Sequence, residues 1–156
     1  MKWWPLIGLK NYFTEKMPKD TSVKIHTIFK NKVFKKSLHI FTIDTGNSNL
    51  LNFTIKALKS PQYNIHRFGI FFTETPRHAD ILIILGPVNI KMKKPLKETV
   101  KQMPKDFGVL IINEENSVDN CLNEMEIPNV IAEINKNVSP NEILAVLLKI
   151  IDEIKY

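Results

Sequence analysis

The stretch Ser60–Pro104, SPQYNIHRFGIFFTETPRHADILIILGPVNIKMKKPLKETVKQMP, carries the pattern that decides the fold. A short apolar run, Phe68–Phe72, precedes a Pro-Arg-His-Ala-Asp turn at Pro76–Asp80, and a continuous apolar run, Ile81–Leu85, ends in Gly86-Pro87. A short uninterrupted apolar run bounded by turn residues predicts a strand buried on both faces. Beyond the Gly-Pro break, Met92, Leu96, Val100 and Met103 recur at spacings of four, four and three, which places them on one face of a helix closed by Pro104. Strand, turn, buried strand and helix in that order predict a parallel α/β sheet.

Working outward, Leu38–Ile43 has the apolar, β-branched and aromatic content of a buried first strand. It runs into a polar glycine loop, Asp44–Asn49, after which Leu50, Leu51, Phe53, Ile55, Ala57 and Leu58 predict a helix ending before Pro61. Downstream, Gly108–Ile112 predicts a fourth core strand and Asn113–Glu126 an acidic loop, while Val130–Ile134 is a candidate for a last short strand. Ser139-Pro140-Asn141-Glu142 is a helix start, with a hydroxyl cap, Pro at the first position and Glu at the third. Ile143, Leu144, Leu147, Leu148, Ile151 and Ile154 form the apolar stripe that follows.

At 156 residues, 44% hydrophobic and 24% charged, the chain suits one globular domain of about four strands, residues 37–156, behind an irregular basic and aromatic N-terminal arm, residues 1–36. The single cysteine, Cys121, excludes an internal disulfide and a cysteine-ligated cluster or zinc site, and suits a reducing cytoplasm. The net charge of +6 is uneven: residues 1–36 hold nine Lys against Glu15 and Asp20, whereas residues 111–156 hold three Lys against nine acids. That gradient predicts two electrostatically different faces. No run reaches the roughly 18 apolar residues of a membrane span. Trp3-Trp4-Pro5-Leu6-Ile7-Gly8-Leu9 is a short apolar hook rather than a signal peptide. Paired Trp beside Lys2 and Lys10 suits a groove on a partner protein first, a membrane interface second and nucleic acid least.

The spaced motifs Ser-Pro-x-Tyr (60–63), Arg-Phe-Gly-Ile (67–70), Pro-Arg-His-Ala-Asp-Ile-Leu (76–82), Gly-Pro-Val (86–88), Met-Lys-Lys-Pro-Leu (92–96) and Gln-Met-Pro (102–104) carry a resemblance. Together they resemble the 20 kDa subunit family of respiratory complex I and the small subunits of membrane-bound, energy-converting NiFe hydrogenases, over Ser37–Glu115 and more weakly beyond. The resemblance implies a three-layer, flavodoxin-like domain on a large hydrogenase-type subunit, peripheral on the cytoplasmic side of a membrane. It also implies a cubane iron–sulfur cluster held by four cysteines, two of them in an Asp-Thr-Gly-x-Cys-Asn-x-Cys loop. This chain keeps Asp44-Thr45-Gly46 and Asn49, but Ser48 and Leu51 stand at the two cysteine positions. The third position falls at Glu115 and the fourth at or near Asn137. Such clusters need thiolates, so the resemblance implies a subunit that has lost its cluster, with no cofactor, no metal and no catalytic residue. Because the family's cluster loops face the large subunit, the expected contact residues are Asn47, Asn49, Asn52, Arg77, His78, Asn113 and Glu114, joined by Trp3 and Trp4 of the arm, whose aromatic rings, a liability if exposed, suit burial against a partner.

A rival expectation comes from the residues alone. A loop between a first strand and a helix N-terminus is where open α/β sheets bind ligands, so Thr45–Asn49 could cradle the phosphate of a flavin or a similar ligand in a free-standing module. The four His show no metal-pair spacing, and the best polar cluster is Arg77, His78 and Asp80 in the turn. No nucleophile set, P-loop or dinucleotide fingerprint is present, which argues against an independent enzyme.

Overall fold

The computed structural model describes Val23 and residues 37–113, 125–135 and 138–155. Five strands form one all-parallel sheet: β1 (Leu38–Asp44), β2 (Ile70–Phe72), β3 (Ile81–Leu85), β4 (Gly108–Asn113) and β5 (Val130–Asn135), in the order β2-β1-β3-β4-β5. That order is the flavodoxin-like one, with its topological switch between β1 and β3. The helices are α1 (Leu50–Leu58), α2 (Lys93–Gln102) and α3 (Pro140–Lys155).

The central strands explain the continuous apolar runs. Every residue of β3 and β4 is buried, because helices cover both faces. On one face Ile40, Ile81, Ile83, Leu110 and Ile134 pack against Leu51, Ile55 and Leu58 of α1 and Ile143, Leu144 and Leu147 of α3. On the other, Leu82, Ile84, Val109 and Ile111 pack against Leu96 of α2 and its flanking Met103. The predicted stripe of α2 therefore faces the sheet, with Leu96 and Met103 buried and Met92 and Val100 half-buried. Val23 packs on the α1 and α3 side, where its carbonyl accepts a hydrogen bond from Lys149 Nζ at 3.1 Å.

The start of α3 forms as predicted. Glu142 N–H donates to Ser139 Oγ at 3.3 Å while Ser139 N–H donates to Glu142 Oε2 at 2.9 Å, a reciprocal capping box. The candidate last strand is present as Val130–Asn135, in register with β4 from Leu110↔Ala132 to Asn113↔Asn135, which brings the sheet to five strands. One expectation is corrected. The second strand begins at Ile70 rather than Phe68, because Ile65–Phe68 closes a single 3-10 turn and Gly69, at φ +76°, adopts the left-handed conformation that stops it.

Candidate functional site

The C-terminal ends of the strands gather Asp44, Leu85, Asn113 and Asn135, so the loops leaving β1 and β3 meet at the switch point, where open parallel sheets place their ligands. In this chain the two loops fill that crevice with each other. Thr45, fully buried, donates its N–H to Leu85 O at 3.0 Å and its hydroxyl to Leu85 O and Gly86 O, both at 3.0 Å. Asn89 N–H returns a bond to Thr45 O at 3.1 Å. Gly86 lies at φ +83°, and a Cβ there would sit 2.6 Å from Asn47 Cβ and 2.7 Å from its backbone N. Only glycine lets the loops approach this closely.

Asp44 is the centre of the first loop. Its Oδ1 accepts the N–H groups of Gly46 at 3.0 Å and Asn47 at 3.2 Å, and its Oδ2 accepts Asn52 Nδ2 at 2.6 Å. Partial burial works to raise the Asp44 carboxyl, but the bonds from the Asn52 amide and from the Gly46 and Asn47 N–H groups prevail and hold it below the ordinary carboxylate value. Asn47 Oδ1 accepts Asn49 N–H at 2.7 Å, and Asn49, in the left-handed region at φ +67°, opens α1 without a side-chain cap. The N–H groups of Thr45, Gly46, Asn47 and Asn49 are thus all donated within the protein. Asp44 therefore takes two of the loop N–H groups that a phosphate-binding loop would offer a ligand.

Of the expected contact residues, Asn47, Asn49, Asn52 and Asn113 share this carboxyl edge. Asn49 is exposed and Asn47 half-buried. Asn52 is committed to Asp44. Asn113 is 2% exposed and donates to Asn135 Oδ1 at 2.9 Å, so it lines the edge from below. Arg77 and His78 are exposed but lie in a 3-10 turn, Pro76–His78, at the opposite end of the sheet. The turn leads to Asp80, whose N–H donates to His39 O at 2.8 Å, five residues and about 16 Å up β1 from Asp44. The Asp80 carboxylate accepts His39 N–H at 2.7 Å and lies 3.4 Å from His39 Nδ1, so it ties the start of β3 to β1 instead of forming a cluster with His78. Trp3, Trp4, Glu114, Glu115 and Asn137 lie outside the described residues.

Ser48 is exposed, whereas Leu51 is fully buried in the core beneath α1. Neither offers a thiolate, and Leu51 offers no donor atom, so these positions do not fit a cubane cluster. Among the described residues no three His, Cys, Asp or Glu converge on a metal position. No helix among them is long and apolar enough to cross a membrane.

Two features of the edge were not singled out from the sequence. Leu50 and Phe53 are 48% and 65% exposed, one turn apart on the outer face of α1. Ile90, 71% exposed, follows the β3 loop and leads into α2 on the other side of the sheet. The signal was present in α1: six apolar residues in nine positions exceed one stripe, so one set, here Leu50 and Phe53, must face outward.

No protein-family model matches the chain. Over 78 residues, 50% of the chain, it is 35% identical to an uncharacterized protein of Methanocaldococcus jannaschii, of which the match covers 53%. Over 81 residues, 52% of the chain, it is 34% identical to a Pyrococcus furiosus protein named "Probable membrane-bound hydrogenase subunit mbhJ", covering 48% of it. Over 73 residues, 47% of the chain, it is 36% identical to formate hydrogenlyase subunit 7 of Escherichia coli, covering 29% of it. The chain spans about half the length of the first two relatives and less of the third. The chain is thus similar, over about half of its own length, to subunits named for membrane-bound hydrogenase and formate hydrogenlyase, at 34% and 36% identity.

Proposed function

We propose that this protein is a cluster-free, non-catalytic subunit of a membrane-associated oxidoreductase complex of the energy-converting hydrogenase or complex I type. Its role is assembly or structure, peripheral on the cytoplasmic side of the membrane. The observation that carries this reading is the pair Ser48 and Leu51. Where the resembling family places two thiolates in the loop after β1, this chain has an exposed hydroxyl and a fully buried aliphatic side chain. The loop itself is held by hydrogen bonds made by Asp44 and Thr45. No electron-transfer step is routed through this chain.

Docking on the large subunit is proposed at the carboxyl edge. Leu50 and Phe53 form an exposed apolar step beside the polar Asn47 and Asn49, the mixture of apolar anchor and polar rim that protein interfaces use. The proposed role is tested by anaerobic reconstitution of the purified chain with iron and sulfide. The expected result is no cluster absorbance and no stoichiometric iron. About four irons per chain, with the EPR signal of a reduced cubane, would overturn the reading.

A further inference from the structure

We propose that the outer face of α2 binds an anionic lipid surface. Leu96 is the one fully buried residue of this helix, and Lys94, Lys97 and Lys101 stand exposed at spacings of three and four along its outer side. Lys91 before the helix and Lys105 after it are exposed as well, extending the stripe at both ends. The helix contains a single acid, Glu98, and it is taken by Lys101 at 2.9 Å. Ten residues span about 15 Å, so the stripe reaches across much of one face of the domain. Ile90, 71% exposed, supplies an apolar side chain at one end of the cations.

The composition of the stripe selects its partner. Every cation in it is lysine, the residue depleted at protein interfaces, where arginine is favoured for its planar fork. A headgroup layer asks only for point charges at the right density, and clusters of four or more lysines on one helix meet that demand. Residues 88–106 contain no aromatic side chain, so single-stranded nucleic acid would find no stacking platform. The face lies across the sheet from Leu50 and Phe53, so lipid contact through α2 leaves the proposed docking step free.

This inference rests on the membrane-associated placement proposed above, but the two fail separately: a subunit held only by protein contacts would co-purify with its partners and ignore bare vesicles. The test is co-sedimentation of the full chain with phosphatidylcholine vesicles, with and without about one third phosphatidylglycerol, at low salt. Binding to the anionic vesicles alone is expected. Lys91→Gln, Lys94→Gln and Lys97→Gln together should weaken it on the order of 100-fold, roughly fivefold per lysine, and Ile90→Ser should weaken it further. The control Lys24→Gln, Lys30→Gln and Lys32→Gln should change it less than about tenfold, because it leaves the α2 stripe intact. Three results would overturn the proposal: no preference for anionic vesicles, loss of binding in the control with retention in the α2 variant, or retention on poly-glutamate at salt that strips the chain from vesicles. The last would assign the face to an acidic protein.

Discussion

Replacing Gly86 by alanine strikes the contact on which the closed switch point depends. An L-residue held at φ +83° costs about 1–2 kcal/mol. The new Cβ would also lie 2.6 to 2.7 Å from Asn47 Cβ, Cα and N. Since backbone cannot yield like the end of a flexible side chain, the β1 loop must move and strain the Thr45 and Asn89 bonds, an overpacking penalty of about 1–3 kcal/mol. The sum is about 3 kcal/mol, a large share of the stability of a domain this size. Urea unfolding followed by circular dichroism measures it. With a slope of about 2 kcal/mol per molar, the midpoint should fall by about 1.5 M. Asn47→Gly removes one of the three short contacts, so the double variant should recover less than half of the loss. A Gly86→Ala protein within about 0.5 kcal/mol of the parent would refute the reasoning, because the loops would then not be locked as described.

Leu51→Ala should cost about 2–5 kcal/mol, because Leu51 is 0% exposed in the core between the sheet and α1; a loss below about 1 kcal/mol in the same unfolding assay would contradict its burial. Thr45→Val keeps the shape but removes the hydroxyl donated to Leu85 O and Gly86 O, for an expected loss of about 1–2 kcal/mol by urea midpoint. For Asp44 the folded carboxyl titrates below its unfolded value of about 3.9, so its contribution is complete above that pH and disappears as pH falls through the folded value. The stability difference between the parent and Asp44→Asn should therefore be flat from about pH 5 to 8 and shrink below about pH 4. A difference that stays constant down to pH 2.5 would contradict the assigned hydrogen bonds.

The parallel sheet was legible because its central strands are buried on both faces and so read as unbroken apolar runs, Ile81–Leu85 and Gly108–Ile112. The caps were legible because Ser139 and Glu142 act through bonds three residues apart. β5 was harder to place: exposed Glu133 interrupts its apolar content, and only pairing with β4 completes it. The interior of the site was legible only in part. The Asp44 bonds to the Gly46 and Asn47 N–H groups are local, the kind of turn an Asp makes with its own backbone two or three residues on. That Gly86 would press on Asn47 depends on a contact between residues about forty apart in sequence. The separation of Arg77 and His78 from the asparagines follows from the parallel sheet itself, since a turn just before β3 lies at the amino end and a loop just after β1 at the carboxyl end.

The most direct test of the account is co-purification of the tagged chain from native membranes under gentle extraction, comparing the parent with Leu50→Ser and Phe53→Ser combined. Both side chains are exposed, so the double variant should keep the parent's urea midpoint. The account predicts that the parent elutes with a hydrogenase-type large subunit and that the double variant elutes without it, still folded. A parent chain that elutes alone, or a double variant that stays bound as tightly as the parent, would contradict docking at the carboxyl edge.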